Sequence, residues 1–161
     1  MAPNTSGCCT GEWLAGLKAN GTVYDGNNVV LESVNAGESA IGIIYHYYWY
    51  RDQAESGDNS DNTQLYFFGN QDPGAFVSVS GAGVLKSSDK QKDAQSFVKY
   101  LSSVEGQQKL AESYALEYPL NPAVELGRGV NPFDELDPPH IDPSTLNGPE
   151  VITLLQNAGL L

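Results

Sequence analysis

The feature that most constrains this chain is a short apolar run that leads directly into a dense aromatic cluster. Residues 40–44 (AIGII) are apolar and rich in β-branched side chains, which is typical of a buried strand. The next six residues, 45–50 (YHYYWY), contain four tyrosines, a tryptophan and a histidine. Because ligands of α/β sheets bind beyond the carboxyl ends of the strands, this cluster occupies a position where a binding site is expected.

Helical and strand-like patterns alternate along the rest of the chain. The clearest helix is predicted from Ser88 or Asp89 to Leu101, where apolar residues recur at helical spacing. Two more short strands are predicted at 65–68 and 75–79, and other helices at 12–19, 28–34, from Tyr48 onward, 104–114 and 150–157. Short buried strands that alternate with helices predict an α/β fold, with coil at 1–10 and irregular structure at 119–149.

The charge balance excludes several classes of partner. Eight basic residues against twenty acidic ones give a net charge of −12. Nucleic-acid binding and attachment to an anionic membrane surface both need clustered basic residues, so neither is expected.

No apolar run is long enough to cross a bilayer, so membrane insertion is not expected, and residues 1–10 do not resemble a signal peptide.

The sequence offers no arrangement typical of a catalytic centre. It contains no nucleophile elbow, no zinc-protease motif and no cysteine and histidine in a plausible pairing. The adjacent Cys8 and Cys9 are interpreted as incidental, since neighbouring cysteines seldom bond to each other. The chain is therefore expected to be a binding protein and not an enzyme.

The chemistry of the aromatic cluster leaves several alternatives open. Phenols become good ligands once a hard, highly charged cation displaces their proton, so Fe(III) is one candidate. Flat rings can also stack against a carbohydrate. The same spacing would suit an aromatic-rich core helix. His46 is interpreted as facing either solvent or the core, and Arg51 as pairing with Asp52 or Glu55 or neutralising an anion.

A combination of segments resembles a known family. The relevant blocks are 26–38 (GNNVVLESVNAGE), 43–50 (IIYHYYWY), 71–75 (QDPGA), 80–86 (SGAGVLK) and 117–120 (EYPL). Together they resemble the ferric-ion-binding proteins of bacterial iron ABC transporters, the bacterial transferrins. The resemblance extends from Trp13 nearly to the end of the chain.

The resemblance implies a specific site. In that family two adjacent tyrosines coordinate Fe(III), and they correspond to Tyr47 and Tyr48. A synergistic anion, phosphate or carbonate, completes the iron shell, and a histidine and an acidic residue come from the N-terminal lobe. The residues implied for the anion are Ser6, Gly7, Asn27 and Tyr45, although Tyr45 stands where family members often have asparagine.

The resemblance also implies a domain organisation. The fold would be that of a type II periplasmic binding protein, with 1–72 in the C-terminal lobe, 73–118 crossing to the N-terminal lobe and 119–161 returning. The chain is expected to be the C-terminal half of such a protein, a truncated form that completes neither lobe. Self-association and pairing with an N-terminal half are the alternatives. An ABC transporter permease would be the partner, in the periplasm or outside the cell.

Two other functions compete with iron binding. A small organic cation, such as thiamine or a polyamine, could stack on Tyr45, Trp49 or Tyr50 in a related solute-binding protein. Alternatively, the chain could be a folding or assembly unit with no ligand of its own.

Overall fold

The computed structural model describes the backbone of residues 6–161 and the side chains from Thr10 onward. Six α-helices form in this part of the chain: α1 (Ser6–Asn20), α2 (Asn27–Asn35), α3 (His46–Glu55), α4 (Gln91–Leu101), α5 (Val104–Ala111) and α6 (Gly148–Asn157). Short 3₁₀ turns occur at Pro73–Ala75, Phe133–Leu136 and Pro143–Thr145.

The chain divides into two compact units. One is Gly26–Ile141 and contains α2 to α5; the other consists of Met1–Asp25 and Asp142–Leu161 and contains α1 and α6. The larger unit buries Leu31, Ala111, Val124 and Leu136, and the smaller one buries Leu14. All the tyrosines of the aromatic cluster belong to the larger unit.

The predicted α/β fold with short buried strands is wrong, because residues 6–161 form no strand. The predicted strands at 40–44 and 65–68 are irregular, and the third includes part of the Pro73–Ala75 turn. Ile41 and Ile43, predicted to be buried, are 86% and 77% exposed. A strand is defined by hydrogen bonds to a neighbouring strand, and within the described chain these apolar runs have no such neighbour.

The helices predicted from the sequence are confirmed, with shifted ends. Local signals explain their limits: Ser103 Oγ accepts a hydrogen bond from the Gly106 N–H at the start of α5 (3.1 Å). Gly37, with φ of +77°, ends the turn that follows α2. The largest error is at α1, which begins at Ser6 although coil was predicted for 1–10.

A polar turn fixes the end of α3. The Asp52 carboxylate accepts hydrogen bonds from the Asn59 N–H (3.1 Å), from Asn59 Nδ2 (3.2 Å) and from Ser60 Oγ (2.5 Å). The hydrogen bond from Ser60 is the largest of the effects that hold the pKa of Asp52 below its usual value. Ser60 is fully buried, so the loop 56–63 is folded tightly against α3.

The predicted assignment of 1–72, 73–118 and 119–161 to the two lobes of a longer protein stays a prediction. None of the helices within residues 6–161 is long and apolar enough to cross a membrane.

Candidate functional site

The N-terminus of α3 lies beside the N-terminus of α2. The Tyr45 N–H, immediately before α3, donates a hydrogen bond to Asn27 Oδ1, in the first turn of α2 (3.2 Å). One turn further along α3, Arg51 Nη2 donates to Asn28 Oδ1 (2.8 Å). Through these two contacts the first turns of α2 and α3 lie close together. The peptide N–H groups at both helix N-termini attract negative charge.

The two tyrosines predicted to bind metal are in contact in the first turn of α3. The rings of Tyr47 and Tyr48 stack with 4.6 Å between centroids and an angle of 28°. Tyr45 stacks on Tyr47 at 5.8 Å and 7°. Tyr47 and Tyr48 are half-buried and Tyr45 is exposed, so the group forms one continuous aromatic surface.

The phenols of the pair are electrostatically linked. A hydrogen bond with Tyr48 is the largest of the effects that raise the pKa of Tyr47, followed by burial and by the charges of Tyr48, Glu117 and Tyr45. The Arg51 guanidinium lies over the Tyr48 ring, 5.1 Å from its centroid. Tyr47 therefore holds its proton more tightly than a free tyrosine does.

Glu117 is a site residue that sequence reasoning missed. Its carboxylate is close enough to Tyr47 to influence the pKa of that phenol, and Ser80 Oγ donates a hydrogen bond to its Oε1 (3.3 Å). Glu117 follows Tyr47 by seventy residues in the sequence. Periodicity gives no signal for it, and although it lies in the resembling block 117–120, the resemblance assigned it no role.

The half-buried side chain of His46 is held by contacts with other residues of the larger unit. Its Nε2–H donates to the Leu116 carbonyl (3.0 Å), and its ring packs against Tyr118 and Tyr50. Leu116 has a φ of +46°, a backbone conformation that residues other than glycine seldom adopt. The hydrogen bond from His46 therefore stabilises the turn before Glu117.

The remaining predicted residues are distributed as follows. Trp49 Nε1 donates to Thr63 Oγ1 (2.9 Å), and the Trp49 ring packs edge-on against Tyr50 at 5.2 Å. Tyr45 does not join these two rings but stacks on Tyr47. Arg51, predicted to pair with Asp52 or Glu55 or to neutralise an anion, contacts Asn28 and the Tyr48 ring, and its charge is the smallest of the effects that lower the pKa of Asp52. For Ser6 and Gly7 the structure describes only the backbone, within α1, so their predicted anion role lies outside what it describes.

The tyrosine pair does not line either of two cavities of the larger unit. A cavity of about 140 Å³ is lined by Asn28, Leu31, Glu32, Arg51, Asp52, Glu55 and Asn59. Another of about 460 Å³ is lined by Tyr50, Gln53, Ala54, Glu112, Ser113, Tyr114, Leu116 and Arg128. Within the described residues no three histidine, cysteine or acidic side chains are grouped to hold a metal ion. The candidate ligands are therefore phenols on an open surface.

Comparisons with known proteins identify relatives of this chain. The chain is 45% identical over 149 residues to the Fe(3+)-binding periplasmic protein of Serratia marcescens, a match covering 92% of this chain and 44% of the relative. It is 41% identical over 150 residues to the major ferric iron-binding protein of Neisseria meningitidis serogroup B, covering 92% of this chain and 45% of the relative. The chain thus spans less than half the length of these relatives.

A solved structure and a family description give the same result. Iron-bound HitA from Pseudomonas aeruginosa is similar with a TM-score of 0.83 and 42% identity, over 92% of this chain and 48% of that one. Residues 10–108 match the bacterial extracellular solute-binding protein family. These relatives are solute-binding proteins and not enzymes, and the chain belongs to the bacterial extracellular solute-binding protein family.

Proposed function

We propose that this chain binds Fe(III) through the phenol oxygens of Tyr47 and Tyr48, as part of a transport protein. The observation that carries the proposal is the contact between these two rings in the first turn of α3. Adjacent residues on a strand point to opposite faces, whereas here both phenols belong to one stacked, hydrogen-bonded group. The ferric ion named in the descriptions of the relatives prefers such anionic oxygen donors.

The electrostatics of the pair make iron binding depend on pH. Tyr47 holds its proton more tightly than a free tyrosine, so the ion must displace that proton to bind the phenolate. A trivalent cation supplies the charge needed, and the nearby Glu117 carboxylate favours its approach. Iron affinity should therefore increase as pH rises.

A synergistic anion, phosphate or carbonate, belongs to the same proposal. The first turns of α2 and α3 meet beside the tyrosines, and helix N-termini favour anions. Asn27 uses its Oδ1 to accept from Tyr45, which leaves its amide nitrogen as a donor for the anion. Asn27 and Tyr45 would line the anion site, together with Ser6 and Gly7 as implied by resemblance.

The proposal extends to the role of the whole protein. The chain would be the part of an iron ABC transporter's substrate-binding component that supplies the tyrosine ligands, and would pass Fe(III) to a permease from the periplasm. Its open tyrosine surface would be closed by further ligands from polypeptide beyond these residues, with 1–72, 73–118 and 119–161 divided between two lobes.

Iron retention tests the proposal. The chain is loaded with ferric nitrilotriacetate in phosphate buffer, desalted and assayed for bound iron. The wild-type chain and a Tyr66→Phe control, whose ring is 78% exposed and belongs to another segment, should retain iron. The double variant Tyr47→Phe, Tyr48→Phe should lose it; equal retention by the double variant and the control would refute the tyrosine site.

A further inference from the structure

The smaller unit contains two asparagine–glycine pairs, Asn20–Gly21 and Asn147–Gly148, and both are exposed. A glycine has no Cβ to hinder its peptide nitrogen, so this nitrogen can attack the carbonyl carbon of the preceding asparagine side chain and form a cyclic succinimide. In a folded chain the reaction depends on how the structure holds the attacking nitrogen. The two pairs differ in this respect.

The nitrogen of Gly21 is held at the end of α1. Its N–H donates to the Leu17 carbonyl (2.7 Å), and the Asn20 side chain donates to the Gly16 carbonyl (2.9 Å). A Cβ placed on Gly21 would lie 2.8 Å from the Leu17 carbonyl oxygen, so the backbone is also crowded here. Attack by this nitrogen would require both hydrogen bonds to break.

The nitrogen of Gly148 has no such contact. Gly148 is the first residue of α6, where peptide N–H groups have no acceptor inside the helix. No group in the described part of the chain accepts a hydrogen bond from it. A Cβ placed on Gly148 would meet nothing within 4 Å, so the space around this peptide is open.

The side chain of Asn147 presents a polarised amide beside that free nitrogen. Its Oδ1 accepts from the Glu150 N–H (3.2 Å), which withdraws electron density from the amide carbon. Its Nδ2 donates to Glu150 Oε2 (3.0 Å). This second contact must break when the amide nitrogen leaves, but both residues are exposed, so water readily replaces it.

We propose that Asn147–Gly148 is a site of spontaneous covalent modification, at which Asn147 is converted to aspartate and isoaspartate, whereas α1 protects Asn20. The Gly148 nitrogen loses its proton to solvent and bonds to Asn147 Cγ. The Cγ–Nδ2 bond breaks, and the nitrogen leaves as ammonia. Water then adds to either carbonyl of the succinimide and opens the ring. Water is the only co-reactant.

The modification weakens the start of α6. In the aspartate product a carboxylate replaces the amide that donated to Glu150, so this contact becomes a repulsion between like charges. In the isoaspartate product the main chain runs through the side-chain carbon, which displaces the oxygen that caps the Glu150 N–H. Both products add negative charge to a chain whose net charge is −12. The inference involves neither Tyr47 nor Tyr48 and does not depend on iron.

Peptide mass spectrometry tests the site. The whole 161-residue chain is incubated without iron at mildly alkaline pH, and aspartate and isoaspartate at positions 20 and 147 are measured over time. In the folded chain Asn147 should be modified faster than Asn20 by about fivefold or more, the factor that one hydrogen bond is worth. In urea the two rates should approach each other, because the contacts of Gly21 are lost. Equal rates in the folded chain, or a ratio that urea leaves unchanged, would overturn the inference.

A variant and the modified chain itself add two further readouts. Gly148→Ala adds a Cβ in open space, so the chain should fold as wild type, but the attacking nitrogen is hindered. Modification at Asn147 should then slow to the rate at Asn20 or below, with Asn20 unchanged as the internal control. The modified wild-type fraction, separated by its added charge, should show faster amide exchange in the first turn of α6. An unchanged rate in Gly148→Ala, or equal exchange in the modified and unmodified fractions, would contradict the proposal.

Discussion

The two segments that flank α3 differ in their hydrogen bonding. On the C-terminal side of α3, the loop 56–63 folds onto Asp52, which accepts three hydrogen bonds from Asn59 and Ser60. On the N-terminal side, 40–44 makes no backbone hydrogen bond within the described chain. The loop has its hydrogen-bond partners within a few residues, whereas the extended run contacts Val30 and Val34 of α2 through Gly42. Local sequence therefore accounts for the loop better than for the extended run.

The largest loss of stability is expected when the hydrogen bonds between Asp52 and the loop 56–63 are removed. Asp52→Ala removes the acceptor for three hydrogen bonds and leaves the buried Ser60 hydroxyl with one partner fewer. We expect a loss of about 2–3 kcal/mol in the free energy of unfolding. Urea unfolding measures this loss, with Asp58→Asn in the same loop as a control that should stay near wild type. Equal stability of the two variants would mean that the Asp52 contacts do not hold the loop.

The Asp52 carboxylate should also make the free energy of unfolding depend on pH in the acid range. Because the folded state lowers the pKa of Asp52, its stabilising contribution is present above the usual carboxyl value of 3.8 and is lost as pH falls below that value. Asp52→Asn should therefore show a smaller loss of stability on acidification than wild type does.

The next effect tests whether 40–44 is fixed on its inner face. Gly42→Val places a side chain against Val30 and Val34 of α2, and overpacking of this kind costs about 1–3 kcal/mol. The loss should appear in urea unfolding of the isolated chain. If the free energy of unfolding does not change, the extended run does not pack on α2 as described.

A smaller effect is expected at alkaline pH from Tyr118. Burial is the larger of the effects that raise the pKa of its phenol to about 12, and its hydroxyl donates to the Asn131 carbonyl (3.0 Å). Since the folded pKa lies above the ordinary value of 10.0, this stabilisation is complete below pH 10.0 and is lost as pH rises toward about 12. Thermal unfolding at increasing pH should show a steeper loss for wild type than for Tyr118→Phe. Parallel curves would contradict this assignment.

The smallest effect is expected on the outer face of 40–44. Ile41→Thr changes a side chain that is 86% exposed, so the free energy of unfolding of the isolated chain should change by less than about 0.5 kcal/mol. A loss as large as that of Gly42→Val would mean that Ile41 is buried in the isolated chain in solution.

The sequence predicted the helices better than the extended regions for a physical reason. Ser103 and the turn at Gly37 mark helix ends through contacts a few residues away, so α2 and α5 could be predicted from nearby residues. The run 40–44 has the composition of a strand, but pairing depends on a neighbour that composition cannot identify. The prediction of a buried strand there was wrong, because the run forms no strand and its Ile41 and Ile43 are exposed.

The candidate site was predictable to a similar extent. Tyr47 and Tyr48 follow from an unusual local cluster and a resemblance. The contact of Tyr45 with Asn27 and the proximity of Glu117 to Tyr47 depend on long-range packing. Sequence reasoning assigned Arg51 a neighbouring acid or an anion, and its charge does help to lower the pKa of Asp52. Its contacts with Asn28 and the Tyr48 ring were not predicted, because they depend on α2 lying alongside α3.

The central claim, that Tyr47 and Tyr48 bind Fe(III), is tested most directly by an absorption spectrum during titration with ferric nitrilotriacetate in phosphate buffer. The account predicts a broad tyrosinate-to-iron band in the visible range for wild type and Tyr66→Phe, stronger at higher pH, and no band for the double variant Tyr47→Phe, Tyr48→Phe. A wild-type spectrum without a visible band, or a band that survives in the double variant, would contradict it.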